Sequence, residues 1–378
     1  MLFTVDRDVL AEAVSWTART LPVRPASPIL AGVRIQAHDQ ALTLSSFDYE
    51  VSATVEIPAT VDDPGEVLVS GKLLAEISKS LPAKPVRVEL EGQKANLTCG
   101  SSHFALAVMP LDEYPLLPAH PQARGTVDAQ VLAQAIGQVS VAASRDDTLP
   151  LLTGVRVEIE GEHMTLLATD RYRLAMRELS WDPANPQDEE TALVKARILT
   201  DVAKSMTGGA SVELGLSRES QPGASSLIGF SAGGRRTTST LMDGDYPPVR
   251  RLFPETTSIQ AVCERHVLLE AVRRVSLVAE RKTSVRMAFS EGQVVLEAGQ
   301  GDNAQASEAI ESQLDGEPIA TAFNPQFLMD GLSVVDTDYV RFGFTHPSKP
   351  AVLTGQTAAD GGPVDYFRYL LMPIRFGI

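Results

Sequence analysis

The sequence lacks the features that mark secreted, membrane-bound and disulfide-stabilised proteins. Its 378 residues include only two cysteines, Cys99 and Cys263, which stand far apart and in no metal-ligand spacing. No stretch approaches the run of about 18 apolar residues that predicts a membrane-spanning helix, and the first residues show no signal peptide pattern. We therefore expect a soluble, cytoplasmic protein whose cysteines stay reduced.

Motifs for metal or nucleotide chemistry are equally scarce. The six histidines are scattered and form no H-E-x-x-H pattern, so we expect no metal site and no cofactor. Gly71-Lys72 does not end a P-loop, because Leu73 stands where that motif requires serine or threonine. Asp336 and Asp338 offer oxygen ligands that Mg²⁺ prefers, but two acids at a turn are usually only hydrated.

Two short motifs permit a catalytic interpretation that their surroundings oppose. Residues 229–233 fit the G-x-S-x-G nucleophile elbow around Ser231, but an elbow leads from a strand into a helix. A second strand pattern follows here instead, which predicts a hairpin. Residues 299–304 fit G-x-G-x-x-A, yet no helix with an apolar face follows them. A serine hydrolase that uses Ser231 remains the enzymatic alternative.

What the chain does contain is three copies of one pattern. Apolar residues recur at helical spacing in residues 9–14, 131–136 and 267–272, at distances of 122 and 136 residues. Residues 28–35 and 150–157 also lie 122 apart, and we predict that each forms a strand after the helix. Each copy contains a second predicted helix, and these cover residues 71–81, 196–206 and 325–332.

Three such copies predict the α+β fold class, with three similar domains of two helices and antiparallel sheets each. We expect domains at residues 1–120, 126–254 and 259–378, joined by polar, proline-containing linkers at 119–125 and 254–258. The copies share no catalytic constellation, so the repetition favours a non-catalytic scaffold over an enzyme. A repeat-built binding protein that does not bind DNA is a second alternative.

Charge is distributed unevenly between the helical segments and the rest. Lys and Arg total 33 against 48 Asp and Glu, and a net charge of −15 argues against generic binding to phosphates. Six helical windows, however, contain 15 basic and nine acidic residues: 7–24, 70–84, 128–145, 195–206, 264–282 and 324–333. Since helix ends favour lysine and arginine anyway, the pattern fits either ordinary solvated helices or one basic surface made of helices with an acidic surface elsewhere.

Several segments, in order and at the right distances, resemble one family. They are Phe3-Thr4-Val5-Asp6-Arg7, Arg24-Pro25-Ala26-Ser27-Pro28-Ile29-Leu30, Ala168-Thr169-Asp170-Arg171-Tyr172-Arg173-Leu174, Asp243-Gly244-Asp245-Tyr246-Pro247 with Arg250-Arg251, and Met372-Pro373-Ile374-Arg375-Phe376. Over essentially its whole length the sequence is similar to the bacterial sliding clamps, the beta subunits of DNA polymerase III. The resemblance implies a head-to-tail homodimer that closes into a ring of six domains, with helices lining the channel and sheets outside.

The resemblance also implies a function. A clamp ring encircles duplex DNA independently of sequence and tethers the replicative polymerase and other replication and repair proteins, which confers processivity. An ATP-dependent clamp loader opens the ring, and the clamp itself has no catalytic site. Net charge is then a poor guide, because DNA in the channel meets only the lining.

A pocket for short partner peptides is implied at matching positions. These are Leu152, Thr169, Arg171, Tyr172, Arg173, Leu174, Pro247, Arg251, Leu252, Leu370, Met372, Pro373, Ile374 and Arg375. Positions 171 and 172 depart from the Gly-His of some relatives, so the bulkier Arg171 and Tyr172 are expected to narrow the pocket or change its preference. Gly377 and Ile378 extend past the usual end, toward the pocket edge.

Two further sets of residues follow from the resemblance. The expected DNA contacts are Arg24, Lys72, Lys195, Arg197 and Lys204. At the dimer interface, Phe104 and Leu106 on an edge strand of the first domain are expected to face Leu277 of a third-domain helix.

Overall fold

The computed structural model describes residues 1–205, 209–218, 226–279, 284–299 and 304–374. The six helices are α1 (Arg7–Thr17), α2 (Gly71–Ser80), α3 (Ala129–Ser140), α4 (Ala196–Ser205), α5 (Arg265–Ser276) and α6 (Pro325–Val334). All six predicted helices are therefore confirmed, with ends that differ by a few residues. Within the described ranges, no helix is long and apolar enough to span a membrane.

Short strands make up most of the remaining structure. Those before residue 200 are β1 (Leu2–Val5), β2 (Gly32–His38), β3 (Ala41–Phe47), β4 (Val51–Pro58), β5 (Thr60–Asp63), β6 (Gly65–Ser70), β7 (Val86–Glu91), β8 (Lys94–Cys99), β9 (Ser102–Ala107), β10 (Ala123–Asp128), β11 (Gly154–Glu160), β12 (His163–Thr169), β13 (Arg173–Ser180), β14 (Asp182–Pro183) and β15 (Glu189–Lys195). Those after it are β16 (Ser211–Ser217), β17 (Leu227–Ala232), β18 (Arg235–Thr240), β19 (Ile259–Glu264), β20 (Val285–Ser290), β21 (Gln293–Ala298), β22 (Ala306–Glu311), β23 (Gln313–Asp315), β24 (Ile319–Phe323), β25 (Tyr339–Phe344), β26 (Ala351–Gln356) and β27 (Pro363–Leu371).

The chain folds into two compact units. Unit 1 consists of Met1–Gln130, Asp182–Asn185 and Asp201–Leu241, and unit 2 of Val131–Trp181, Pro186–Thr200 and Met242–Ile378. The middle repeat contributes to both units, and the strand pairing gives the reason. In unit 1, β4 of the first repeat pairs with β18 of the second, and in unit 2, β13 of the second pairs with β27 of the third. The domain limits at 1–120, 126–254 and 259–378 stay a prediction.

Each unit contains one large and one small antiparallel sheet. Unit 1 has a nine-stranded sheet in the order β14-β10-β16-β17-β18-β4-β3-β2-β6 and a five-stranded sheet β5-β1-β7-β8-β9. Unit 2 has a nine-stranded sheet β15-β11-β12-β13-β27-β26-β25-β19-β23 and a four-stranded sheet β22-β21-β20-β24. Burial alternates along strands such as β20 and β21, as the period of a strand requires, whereas β12 and β13 are buried over most of their length.

The helices begin where the sequence provides caps. The Asp6 carboxylate accepts hydrogen bonds from the backbone N–H groups of Asp8 and Val9 at 2.8 and 3.1 Å, which satisfies donors at the start of α1. Asn324 caps α6 in the same way, and Pro325 occupies the first turn, where its missing N–H costs nothing. Leu10, Ala13 and Val14 then form the buried stripe of α1.

Two strand predictions need correction. Residues 28–35 and 150–157 are not strands throughout, because Pro28–Ala31 and Pro150–Thr153 each form a 3₁₀ turn before the strand begins at glycine. The fixed φ of proline suits the first position of such a turn. The predicted linker 119–125 is also partly wrong, since β10 already begins at Ala123.

Two buried tyrosines support equivalent turns in the first and second repeats. The Tyr114 hydroxyl accepts a hydrogen bond from the Phe47 backbone N–H at 2.8 Å, and the Tyr246 hydroxyl accepts one from the Thr169 N–H at 3.0 Å. Burial raises the pKa of both tyrosines to about 12, so both hydroxyls stay neutral at physiological pH. Each tyrosine thus satisfies the backbone at the end of a strand.

Removal of these hydroxyls is expected to destabilise the fold. In Tyr114→Phe and Tyr246→Phe a buried N–H loses its acceptor, which should cost about 1–2 kcal/mol of unfolding free energy in each variant. Urea unfolding followed by circular dichroism measures the loss. Tyr172→Phe, on an exposed ring, is the control and should stay within about 0.5 kcal/mol of the parent. Equal midpoints for all three variants would contradict the supporting role.

Candidate functional site

The centre of the candidate site is a tight turn between β12 and β13 in unit 2. The Asp170 carboxylate accepts hydrogen bonds from the backbone N–H groups of Tyr172 and Arg173 at 3.0 and 3.1 Å. The Thr169 hydroxyl donates to the Arg173 carbonyl at 2.6 Å. Arg171 has a φ of +80°, the left-handed region that favours glycine. The turn therefore leaves the Arg171 and Tyr172 side chains exposed and buries Arg173.

Arg173 is a buried cation with several partners. Its Nε lies 3.0 Å from an Asp170 oxygen, and its Nη1 lies 2.5 Å from an Asp330 oxygen. Its guanidinium also stands 4.3 Å from the centre of the Phe327 ring. Burial alone would lower the pKa of Arg173, but Tyr369, Asp330 and Asp170 outweigh it and raise that pKa above its ordinary value. Arg173 thus joins the β12–β13 turn to α6 as a permanent cation.

An apolar cluster lies behind the turn. Three predicted pocket residues, Leu152, Leu174 and Leu370, pack in one buried cluster with Tyr246 and Val249. Beside it is a cavity of about 470 Å³. Its lining residues are Arg156, Glu158, Leu167, Tyr246, Pro247, Pro248, Val249, Arg250 and Arg251. The predicted pocket residues Pro247 and Arg251 therefore line this cavity, together with Tyr246 of the apolar cluster.

Exposed apolar side chains stand around this region. Tyr172 is 57% exposed, and Leu252, Met372 and Ile374 are also exposed. The Met372 N–H donates to the Tyr172 carbonyl at 2.9 Å, and the Tyr172 ring stacks on Phe327 at 6.2 Å between centroids. Large exposed apolar groups on one surface mark interaction sites in soluble proteins.

The predicted pocket residues occupy two kinds of position. Leu152, Thr169, Arg173, Leu174 and Leu370 are buried and form the support. The exposed or half-buried group consists of Arg171, Tyr172, Pro247, Arg251, Leu252, Met372, Pro373 and Ile374. Arg375, Gly377 and Ile378 lie outside the described residues.

Sequence reasoning missed three contributors. Phe327 and Asp330 on α6 contact Tyr172 and Arg173, and no spacing or motif in α6 signalled this. Tyr246 lies inside the motif Asp243–Pro247, and the recurrence of its Tyr-Pro pair as Tyr114-Pro115 in the first repeat was an available signal.

Four of the five predicted DNA-contact residues are exposed, and Lys195 is half-buried. Arg24 is exposed in the segment after α1, and Leu21 of that segment packs against Gly71, next to Lys72. Lys195 ends β15. Arg197 and Lys204 are exposed on α4, and like Lys72 and Lys79 on α2 they have no ion-pair partner among the residues the structure describes. These exposed cations are available for phosphates.

The charge contrast between helices and the rest is smaller than the windows indicated. Within the bounds of the six helices there are eight basic and six acidic residues, because Arg19, Arg24, Lys84, Arg145 and Lys195 lie in flanking segments, and Arg281 and Lys282 lie outside the described residues. On α5, Arg273 pairs with Glu270 and Arg274 with Glu308. The unpaired cations therefore concentrate on α2 and α4 rather than on all helices.

The three predicted interface residues differ in accessibility. Phe104 is exposed on β9, an edge strand of its sheet, and Leu277 is 83% exposed at the end of α5. Leu106 is only 2% exposed within the single chain, so its side chain belongs to the core of unit 1. Its contribution to a partner surface is correspondingly small.

The catalytic alternatives find no support in the local geometry. Ser231 lies in β17, which passes through Gly233 and Gly234 directly into β18, so the predicted hairpin is confirmed and no helix follows the serine. The described residues contain no group of three or more His, Cys, Asp or Glu that could hold a metal. Asp336 instead accepts hydrogen bonds from Gln134 and Tyr366. Residues 300–303 of the glycine motif lie outside the described residues.

Three repeats with paired helices and antiparallel sheets define a clamp-type α+β scaffold. Three sequence models of the DNA polymerase III beta subunit family match the chain in order. The N-terminal domain model matches residues 1–118, the central domain model 126–248 and the C-terminal domain model 250–375. The chain belongs to the DNA polymerase III beta subunit family, the beta sliding clamps. The predicted fold class and the predicted function as a DNA sliding clamp are thereby confirmed.

Individual relatives agree with this assignment. The beta sliding clamp of Streptomyces coelicolor is 51% identical over 375 residues, which is 99% of both chains. The beta sliding clamp of Micrococcus luteus is 54% identical over 315 residues, covering 83% of this chain and all of the relative. The crystal structure of the Bacillus subtilis DNA polymerase sliding clamp superposes over all of both chains with a TM-score of 0.91 at 25% identity.

The buried Arg173 network yields a stability prediction. Asp330→Ala removes one of two carboxylates from a buried cation, and we expect a loss of about 1–3 kcal/mol in unfolding free energy, less than for a pair that loses its sole partner. Chemical denaturation provides the measurement. Asp360→Ala, at an exposed position, is the matched control and should change stability little. If both variants have the same unfolding midpoint as the parent protein, the contacts of Arg173 do not stabilise the packing of α6 on the turn.

Proposed function

We propose that this chain forms a closed head-to-tail homodimer that encircles duplex DNA and raises polymerase processivity. The observation that carries the proposal is the full-length match to beta sliding clamps, at 51% identity over 99% of both chains. The ring would contain six domains, three from each chain at residues 1–120, 126–254 and 259–378. Its place would be the cytoplasm, at sites of chromosome replication.

DNA is proposed to contact cations of the helices and their flanking segments. Arg24, Lys72, Lys195, Arg197 and Lys204 would meet phosphates, which repeat along any duplex regardless of sequence. Weak, salt-screened contacts suit a ring that must slide, because closure around the duplex, and not affinity, would retain it. We propose no catalytic role for the chain, and an ATP-dependent clamp loader would open the ring.

The dimer is proposed to form at the edge of unit 1's five-stranded sheet. An edge strand presents unpaired backbone groups, and β9 adds the exposed Phe104. Leu277, at the end of α5 in unit 2 of the other chain, would supply the facing apolar contact. Leu106 would act from within, by supporting β9.

Partner peptides are proposed to bind at the β12–β13 turn of unit 2. Tyr172, Leu252, Met372 and Ile374 would supply apolar contacts, and Met372 can adapt to ligands of different shape. Arg171 and Arg251 would bind polar or acidic peptide groups. The polymerase catalytic subunit and other replication and repair proteins would use this site in turn.

Topological retention on DNA tests the ring. Loaded onto nicked circular DNA by a clamp loader and ATP, the labelled protein should elute with the circle in gel filtration. After a restriction enzyme linearises the circle, most of it should elute free, because it slides off the ends. Protein-blocked ends on the linear DNA are the control and should restore retention. Equal retention on circles and open lines would overturn the proposal.

Truncation of the apolar contacts tests the peptide site. Met372→Ala should weaken binding of a fluorescent peptide from the polymerase catalytic subunit about tenfold, as expected for a central apolar contact. Val23→Ala, equally apolar and highly exposed in unit 1, is the matched control and should leave the affinity unchanged. Fluorescence anisotropy gives both dissociation constants. Equal dissociation constants for the two variants would show that Met372 does not belong to the peptide site.

A further inference from the structure

The turn at the centre of the peptide site has an equivalent in unit 1. The Asp48 carboxylate accepts hydrogen bonds from the N–H groups of Glu50 and Val51 at 3.0 and 2.7 Å, as Asp170 does from Tyr172 and Arg173. Tyr49 has a φ of +73°, and the equivalent Arg171, 122 residues later, has +80°. Both turns thus hold a bulky residue in a conformation that side chains disfavour.

The supporting contacts are repeated as well. Tyr114 accepts the Phe47 N–H as Tyr246 accepts the Thr169 N–H. The Thr240 N–H donates to the Glu50 carbonyl at 2.9 Å, just as the Met372 N–H donates to the Tyr172 carbonyl at 2.9 Å. Unit 1 therefore contains the same backbone frame that presents the candidate peptide site in unit 2.

An apolar surface surrounds this second turn. We define the unit 1 surface as Phe47, Tyr49, Leu111, Leu116 and Leu117. Tyr49 is 61% exposed with its ring 5.6 Å from that of Phe47, and Leu116 is 90% exposed. Leu111 and Leu117 are half-buried against the cluster that contains Phe47 and Tyr114. The core of unit 1 does not require the exposed parts of these side chains, which are costly in water.

The unit 1 surface lacks the arginines of the unit 2 turn, although acidic residues precede the buried tyrosine in both units, Asp112 and Glu113 in unit 1 and Asp243 and Asp245 in unit 2. Asp48 and Glu50 flank Tyr49 in the chain, the exposed Asp112 and Glu113 directly precede Tyr114, and Arg34 pairs with Glu66 at 2.5 Å. The unit 2 turn carries the exposed Arg171 in place of Tyr49, together with Arg251. Acidic groups repel phosphates, so the unit 1 surface does not suit nucleic acid. It suits a partner that carries lysine or arginine.

We propose that the unit 1 surface is a second docking site, which binds an extended peptide carrying aliphatic or aromatic residues next to lysine or arginine. Leu and Phe side chains of the peptide would pack on Tyr49, Leu111 and Leu116, and its cations would face Asp112 and Glu113. The inference rests on the proposed function only in taking the equivalent turn of unit 2 as a peptide site. One chain would then distinguish two classes of partner by charge.

The test uses the full-length protein and two fluorescein-labelled peptides with the same Leu and Phe residues, one flanked by lysines and the other by glutamates. Tyr49→Asn removes the ring but tolerates positive φ. It should weaken the lysine peptide about tenfold in anisotropy titrations and leave the glutamate peptide unchanged. Arg171→Asn is the matched variant at the equivalent position and should weaken only the glutamate peptide.

Charge reversal provides an independent measurement. Asp112→Lys combined with Glu113→Lys should weaken the lysine peptide and remove most of its sensitivity to salt between about 0.05 and 0.5 M. An unchanged thermal midpoint shows that these exposed substitutions leave the fold intact. The proposal is overturned if the lysine peptide does not bind the parent, or if Tyr49→Asn and the charge reversal leave its affinity unchanged. Failure of the unit 2 site would appear separately, as a glutamate peptide insensitive to Met372→Ala.

Discussion

The pairing of strands from successive repeats is the constraint on which the site depends. A repeat that ends in an open sheet edge leaves a row of backbone donors and acceptors unpaired, and the next repeat satisfies them. In unit 2, β27 runs antiparallel to β13, with Leu371 opposite Arg173 and Leu370 opposite Leu174. This register delivers the end of β27 to the start of β13, so that Met372 meets Tyr172 although 200 residues separate them. Backbone pairing therefore brings the exposed apolar groups together.

Side chains then fix the turn that this pairing brings into place. Asp170 is used twice, because one carboxylate oxygen accepts two backbone N–H groups while the other pairs with Arg173. Arg173 carries the connection onward to Asp330 and Phe327 of α6. The Arg173 guanidinium has two carboxylate partners and an aromatic ring as neighbours, and a fully hydrogen-bonded buried group of this kind favours a single geometry. The same hydrogen bonds hold the backbone of Arg171 and Tyr172, which would reduce the entropy lost when a ligand binds the proposed site.

Much of this fold was predictable from the sequence, and the limits of the prediction have physical causes. Helices were found because a 3.6-residue period and caps such as Asp6 and Asn324 act locally. The 3₁₀ turn at Pro28–Ala31 was missed because its apolar residues, Ile29 and Leu30, are buried as those of a strand would be. The pocket residues came from the family resemblance, whereas Phe327 and Asp330 depend on a tertiary contact that no local pattern records. The burial of Leu106 was equally invisible, since alternation along β9 does not say which face is covered.

The repeats also explain why net charge misled. A frame made of backbone hydrogen bonds and buried tyrosines constrains positions 47, 48, 114 and their equivalents, but it leaves the outward residue of each turn unconstrained. Tyr49 and Arg171 occupy the same backbone conformation and differ completely in chemistry. The same holds for the helices: among the described residues, cations of α2 and α4 such as Lys72 and Arg197 have no ion-pair partner, whereas Arg273 and Arg274 of α5 pair with Glu270 and Glu308. A charge of −15 is thus a sum over surfaces that differ in charge. In a repeat protein of this kind, equivalent exposed positions differ in chemistry, and those differences carry the information about function. A net charge summed over the whole chain hides them.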